Sequence, residues 1–569
     1  MPRSRFVVPS LVLPVIIATM SDALAQPAGG QGGGTASGLV YEDANRNGKH
    51  DHGEKGLADI RVSNGREIVK TDAQGRYQLP VGDEAIIFVV KPSGYMTAIG
   101  ESSLPRFYYI HRPNGSPKYK FPGIAPTGPL PESIDFPLYP RHEPTKFKAL
   151  FFGDTQVTNE AEIGYLAHDI VESLLGSDAA FGVTLGDVVG DHPPLFENLA
   201  ATISQIGIPW YNVPGNHDEN YDSVDDPHAL ESFQRTFGPR YYSFDYGLVH
   251  FLVLDDVMWK GPKPEKKGDY EAGLDEDQLQ FIKNDLALLP KGQLVVPMMH
   301  IPIIEVKELP ELLRILSEHP KTFSASAHYH YLEHRFLGKQ EGWTGTEPHH
   351  HYINPTTCGT WWLGAFDEIG MPHATMRDGA PNGYSIITFD GDRYSIEFRP
   401  ARRPADYQMN IYAPDEIEQA KAGDTEVLVN VFAGSERSKV EMRVGNDGPW
   451  TAMQKIVAKD PCYVAVKNAE EALFNKPSNK VTKAVDSAKK AAEETLLKGH
   501  EAIGDLTLVR PLRGGLVDCP HLWRATLPAK LPTGAIAIQV RTTDLFGQNY
   551  EGRRIIRIRA EPPLTEPRQ

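Results

Sequence analysis

The chain has 569 residues, too many for one hydrophobic core, and its length points to roughly three or four domains. Its formal net charge of -16 and pI near 5.7 argue against a binder of nucleic acid or anionic membrane, which would carry basic stripes. With 40% hydrophobic and 23% charged residues the composition is that of soluble globular protein, which excludes a collagen-like or wholly disordered chain.

The first residues read as a leader rather than as fold. Arg3 and Arg5 precede an apolar run over 6–18, and Ala23-Leu24-Ala25 forms a small-x-small pattern before Gln26. This is the pattern of a secretory signal peptide, 1–25, cleaved after Ala25, with an apolar run too short to span a bilayer comfortably. No other run approaches spanning length, so a soluble exported protein without a transmembrane segment is expected, periplasmic or secreted from a bacterium. Export makes cysteine relevant: Cys462 and Cys519 are candidates to pair, with Cys358 left over, while free buried thiols remain the alternative.

Residues 26–37 are Gly-rich and read as a flexible linker. From 38 to 104, short β-prone runs such as Ile60-Arg61-Val62 and Ala85-Ile86-Ile87-Phe88 alternate with turn signals such as Asn64-Gly65, the rhythm of a small antiparallel β-sandwich. Within it, Asp43, Asn45, Asn47, Lys49, Asp51 and Glu54 stand at positions 1, 3, 5, 7, 9 and 12 of a loop with Gly48 at position 6. That is EF-hand ligand spacing, in which position 7 offers its backbone carbonyl, and it suits one calcium ion. No flanking helices are evident, so the loop is expected on a β scaffold, and it resembles the repeats of calcium-stabilised bacterial β-sandwich modules. An ordinary polar turn is the alternative. Residues 105–146 are rich in Pro and Gly and read as a connector, with Tyr108-Tyr109-Ile110 and Ile134-Asp135-Phe136 as candidate strands.

Between 147 and 399 strands alternate with helices. Lys148-Ala149-Leu150-Phe151-Phe152 is an apolar strand, Ile163, Leu166, Ile170 and Leu174 recur at helical spacing, and further strands are expected at 181–185, 208–213, 249–254, 294–299 and 322–325. From 400 to 569 the signals return to β, as in Glu426-Val427-Leu428-Val429 and Ala535-Ile536-Ala537-Ile538. An Ala/Lys/Glu-rich stretch over 480–498 reads as a helical insertion in a C-terminal β-sandwich, its charges a solvated face.

The informative positions are those directly after each central strand. The first ends in Gly153-Asp154-Thr155-Gln156, the second in Gly186-Asp187, the third in Pro214-Gly215-Asn216-His217-Asp218, the next in His300, and the last in Ala327-His328-Tyr329-His330. Each polar residue alone has an ordinary explanation, such as a helix cap. Five strand ends that all deliver Asp, Asn, Gln or His are another matter, because parallel strands bring their ends to one edge and one crevice. A mixed set of carboxylate, imidazole and amide suits borderline divalent metals better than calcium.

This order of blocks resembles the calcineurin-like metallophosphoesterase superfamily: Asp-x-His, Gly-Asp, Gly-Asn-His-Asp, His, Gly-His-x-His. With its flanking β modules the chain is similar to an exported bacterial subgroup. The resemblance implies an α/β fold, a central β-sandwich flanked by helices, with an N-terminal small β-sandwich and a C-terminal one. It implies two divalent ions (Mn, Zn, Fe or Mg), one held by Asp154, Gln156, Asp187 and His330, the other by Asp187, Asn216, His300 and His328. It further implies hydrolysis of a phosphate mono- or diester by a hydroxide bridging the metals, with Asp187, Asn216 and His217 catalytic. His217, not itself a ligand, would steady the phosphoryl group or protonate the leaving oxygen.

Two positions depart from the pattern. Gln156 replaces the first block's His and is a weaker, neutral donor, which bears on affinity and choice of metal; Ala327 replaces a Gly. Gly190 stands where purple acid phosphatases carry a Tyr, and no Asp-Arg-Gly follows Asp187 as it does in Ser/Thr phosphatases. Beyond the blocks, Trp361 and Trp362 suit either a stacking surface or a core, and His349-His350-His351 reads as a solvated loop rather than a metal tract. The rival reading is a non-catalytic envelope or carbohydrate-binding protein with a decayed metal centre, of which Gln156 would be the first sign.

Overall fold

The computed structural model describes residues 34–263, 268–474, 509–510, 512 and 514–560. The expected signal peptide and the Lys/Glu-rich helical insertion over 480–498 lie outside the described residues. Among the described residues no helix is long and apolar enough to cross a membrane.

The central unit is two sheets packed face to face. One runs in the order Trp210–Val213, Phe181–Leu185, Lys146–Phe152, Gly383–Asp390, Arg393–Pro400, its first three strands mutually parallel. The other runs Tyr242–Tyr246, Val249–Val253, Leu294–Met298, Phe323–Ser326, His349–Ile353, Glu333–Leu337, with its four middle strands parallel. The parallel strands are buried on both faces, which is why they read as continuous apolar runs. Aromatic rings fill the space between the sheets: Tyr211 stacks on Phe244 at 4.1 Å, and Phe181 meets Phe251 edge-on at 5.1 Å.

Helices cover the outer faces. Glu160–Asp169, Phe196–Ile203 and Glu231–Phe237 lay Ile163, Leu166, Leu199, Phe233 and Phe237 on the first sheet. Glu276–Leu286 and Leu309–Leu316 cover the second with Leu279, Ile282, Leu312 and Leu316. Asn159 and Asp275 begin two of these helices by accepting the amides of Glu162 and Gln278.

The sequence reading is corrected at the N-terminal side. Gly34–Glu42 is one strand, so the expected linker is already sheet from Gly34, which pairs with Val81. The expected connector supplies Pro105–Arg106, Tyr108–His111 and Phe136–Pro140 to the two N-terminal sheets. On either side of Pro137 the residues Phe136 and Leu138 point into the core. The N-terminal sheets do not hang free. Phe88 meets Phe281, and Phe107 meets Tyr242 at 4.8 Å. Arg61 pairs with Asp245 at 2.5 Å and Asp285 at 2.7 Å across the seam.

The His349-His350-His351 tract is a second correction: it is a fully buried strand, not a loop. Thr322, Ser324 and Ser326 on the neighbouring strand alternate with its imidazoles. Thr322 Oγ1 lies 2.9 Å from His349 Nδ1, Ser324 Oγ 2.7 Å from both His349 Nε2 and His351 Nδ1, and Ser326 Oγ 2.9 Å from His351 Nε2. The Ile303 amide also donates to His351 Nε2, so that nitrogen is an acceptor and the proton of His351 sits on Nδ1. Burial holds all three histidines well below their usual pKa, so they are neutral.

The C-terminal unit is a sandwich of a four-stranded and a five-stranded sheet. All three cysteines are free, Cys358 and Cys519 buried and Cys462 exposed, so the candidate disulfide is not formed.

Candidate metal centre

Sequence reasoning placed the five polar strand ends on one parallel sheet. They come from both sheets of the sandwich, which present the carboxyl ends of their parallel strands at the same edge. A sixth end joins them, because His349–Ile353 runs on into Thr357, whose amide donates to the Gly153 carbonyl at 2.7 Å. Gly215 is required by close approach: a Cβ there would sit 2.1 Å from the Asp187 amide nitrogen.

The backbone at these ends is unusual. Asp154 (φ 35°), Gln156 (41°), Asp187 (47°), His328 (67°) and His330 (55°) all adopt left-handed conformations. For residues with a Cβ each costs on the order of 1–2 kcal/mol. Such strain persists only where surroundings impose it, and it clusters at functional sites.

The seven predicted ligands form one connected cluster around Asp187. Its Oδ2 accepts from Gln156 Nε2 at 3.1 Å, and its Oδ1 lies 3.3 Å from His300 Nε2. His300 Nε2 is 3.1 Å from Asn216 Oδ1 and 3.1 Å from His328 Nδ1. The His328 amide donates to Asp154 Oδ2 at 3.0 Å, and His330 Nε2 stands 3.6 Å from Asp154 Oδ1. Asp187 therefore touches Gln156 on one oxygen and His300 on the other, and Asp154 lies against both His328 and His330.

Other residues lock this arrangement. Asp218 accepts the amides of Val188, Val189 and Gly215, tying two ligand loops together. Asp256 Oδ1 accepts the amides of His300 and Ile301. The carbonyl oxygens of Leu185 and Gly359 face Nδ1 of His300 and His330, leaving each Nε2 toward the cluster. Trp362 is core: its indole donates to the Thr155 carbonyl at 2.9 Å. Trp361 lies against the His330 ring at 4.1 Å and is partly exposed.

The donor set fits a divalent cation. Asp154 Oδ1 is buried with no hydrogen-bond partner, a costly orphan that a cation satisfies. One donor atom each from Asp187, His300 and His328 lies within 4.8 Å of the others. Burial pushes Asp154 above the usual carboxylate range, whereas Asp187, also buried, is held below it by His300 and His217. His300 is pulled down by burial, but Asp187 outweighs that and lifts it to about 10. Burial holds His328 down at about 3 and His330 at about 4, so both offer neutral imidazoles. The positive charge the carboxylates need is thus carried on exchangeable protons, which a cation displaces on binding.

His217 stands beside the cluster, partly exposed, with Nε2 4.0 Å from Asp187 Oδ2. Its Nδ1 bonds to Asp191, whose Oδ1 also accepts the Tyr221 hydroxyl at 2.7 Å. Burial lowers the His217 pKa, but Asp187 and Asp191 outweigh it and raise it to about 9. Sequence reasoning missed Asp191 and Tyr221 in these roles; the signal was a carboxylate four residues after Asp187, in the same loop.

The Asp43 to Glu54 loop closes on itself. Asp43 accepts the amides of Asn47 (3.2 Å) and Gly48 (2.7 Å), Glu54 those of Ala44 and Asp51, and Asp51 the side-chain amides of Asn45 and Asn47. Lys49 lies exposed on the loop.

Three family models match the chain in order: "N terminal of Calcineurin-like phosphoesterase" over 44–123, "Calcineurin-like phosphoesterase" over 147–332, and "C terminal of Calcineurin-like phosphoesterase" over 351–499. No curated protein matches it. Among solved structures it is similar to purple acid phosphatase PPD1 from yellow lupin (Lupinus luteus) seeds, at 13% identity and TM-score 0.33, covering 60% of this chain and 67% of that one. It is also similar to PhoD, at 10% identity and TM-score 0.33, covering 70% and 90%. With its amino-terminal, catalytic and carboxy-terminal regions each matched in turn, the chain belongs to the calcineurin-like phosphoesterase family.

Proposed function

We propose that the chain is an exported two-metal phosphoesterase acting on phosphate mono- or diesters. The observation that carries this reading is the Asp187 carboxylate, which faces Gln156 with one oxygen and His300 with the other and so would be within reach of cations on both sides. On this reading Asp154, Gln156, Asp187 and His330 hold one ion, and Asp187, Asn216, His300 and His328 the other, the metal being Mn, Zn, Fe or Mg. Bound there, the ions supply a water acidic enough to act as nucleophile at neutral pH and neutralise charge on the phosphoryl oxygens.

The chain's own side chains do the rest. His217 keeps its proton on Nε2 near neutral pH and gives it to the leaving oxygen; Asp191 fixes the ring and stabilises its positive charge. Asn216 places its amide oxygen beside His300. Export rests on Arg3, Arg5 and the apolar run before Ala25, and a calcium ion in the Asp43 to Glu54 loop rests on its ligand spacing.

The test is hydrolysis of p-nitrophenyl phosphate and bis-p-nitrophenyl phosphate, with metal analysis of the same samples. Chelation should abolish activity and reloading restore it, and Asp187→Ala and His217→Ala should be nearly inactive. Protein that binds two ions yet turns over neither ester with Mn, Zn, Fe or Mg would favour a binding role instead.

A further inference from the structure

A buried link joins the C-terminal sandwich to the metal centre. The turn over 376–380 grips the backbone around His330: the Arg377 amide donates to the His330 carbonyl at 2.9 Å, and Asp378 Oδ2 accepts the Leu332 amide at 2.9 Å. The same Oδ2 faces Nε2 of His521, on the strand Cys519–Thr526 of the C-terminal unit, at 2.9 Å. Gly379 lets the two units meet, since a Cβ there would lie 2.2 Å from Asp460 Cγ. Asp378, Asn430 and His521 are all fully buried.

Hydrogen-bond accounting fixes the charge of His521. Asn430 Nδ2 donates to the Asp378 carbonyl and to Asp460, so its Oδ1, 2.7 Å from His521 Nδ1, is an acceptor and Nδ1 carries a proton. Nε2 faces a carboxylate and carries one too. His521 is therefore an imidazolium paired with Asp378 in a dry seam. Burial pulls its pKa down, but the Cys519 sulfur and Asp378 outweigh this and lift it to about 10. His330 sits at φ 55°, a conformation that its own chain does not favour and that contacts on either side must hold.

We propose that His521 is a positioning residue for the metal centre: through Asp378 it holds the backbone of His330, so the C-terminal sandwich completes one of the two metal sites. The inference rests on the two-metal reading of the cluster. Its consequence is asymmetric, because His330 belongs to the half with Asp154 and Gln156 and not to the half with Asn216 and His328. That half already carries the weaker amide ligand and is the more sensitive to a displaced imidazole.

The experiment is equilibrium dialysis of the full chain against Mn(II), counted by mass spectrometry, with thermal melts alongside. Wild type should bind two ions. His521→Leu should keep one ion at wild-type affinity and weaken the other ~10-fold, the usual effect of removing an outer partner of a ligand. His521→Gln, which keeps a donor where Nε2 stands, should recover most of that loss. Val540→Ala, a buried truncation in the five-stranded sheet of the same sandwich, which does not carry His521 or Asn430, should lower the melting temperature without changing either ion. Asp378→Asn reads the same link should His521→Leu not fold, and should weaken the same ion. Two ions at wild-type affinity in the folded His521→Leu or Asp378→Asn variant would overturn the inference and leave the metal centre standing. A wild-type protein that binds no ion would overturn both.

Discussion

Asp191 holds Nδ1 of His217, and this turns Nε2 of the same ring toward Asp187 at 4.0 Å. The pairing joins a loop of the second strand end to a loop of the third, so the proton that His217 carries depends on a residue outside the proposed ligand set. Activity that needs protonated His217 is present below its pKa and lost above it, which gives kcat/KM a basic limb that Asp191 holds up. Asp191→Asn removes a negative charge that raises this pKa. The limb should move down by about one pH unit, and the optimum rate should fall roughly 10-fold. An unmoved limb would show that another group sets it.

Gln156 supplies the amide where the family pattern has an imidazole, and its Oε1 lies 3.7 Å from the buried Cys358 sulfur. Imidazole is the stronger donor for Zn and Mn. Gln156→His should therefore tighten the weaker of two ions ~10-fold in a Mn(II) titration. Unchanged affinity would mean that Gln156 is not a ligand.

Arg61 ties the N-terminal sheets to the catalytic unit through Asp245 and Asp285, with His250 between the same two carboxylates. Its guanidinium is buried, and removing one member of such a network leaves uncompensated charge. Arg61→Ala should cost about 3 kcal/mol in urea unfolding. A loss within roughly 0.5 kcal/mol would place the N-terminal sheets outside the cooperative unit.

The His521–Asp378 pair gives stability a pH signature. The folded pKa of about 10 lies above the ordinary 6.5, so folding binds the proton more tightly. The contribution is complete below about 6.5 and is lost as pH rises toward 10. The difference in melting temperature between wild type and His521→Leu should be widest at acid pH and shrink steadily to pH 10. A gap that stays constant over that range would mean that His521 is not charged in the fold.

The cluster around Asp187 was legible because its members are polar residues placed just after apolar runs, as with Asp187 after Phe181–Leu185 and His300 after Leu294–Met298. The division of those strands between two sheets was not, because each strand is apolar on both faces and nothing in its spelling names its neighbours. Asp191 stayed hidden because a carboxylate in a loop looks solvated until His217, 26 residues on, is brought against it. Phe136–Pro140 was obscured by its prolines. The buried histidines were misread because the polarity of His349 and His351 is cancelled by Thr322, Ser324 and Ser326, 25 or 27 positions before them, and that of His350 by His334 and Tyr394.

That alternation of hydroxyl and imidazole also specifies how the two strands align. In a sheet apolar on both faces, a slip of two residues keeps every side chain on its proper side, so hydrophobicity alone does not forbid it. Here such a slip would strand a neutral imidazole beside a hydroxyl's empty place, with no water to replace the lost partner. It would also carry the peptide bearing Thr357 some 6–7 Å along the strand axis, out of reach of Gly153. The hydroxyls and imidazoles thus act as a ruler laid between neighbouring strands, setting where the crevice begins.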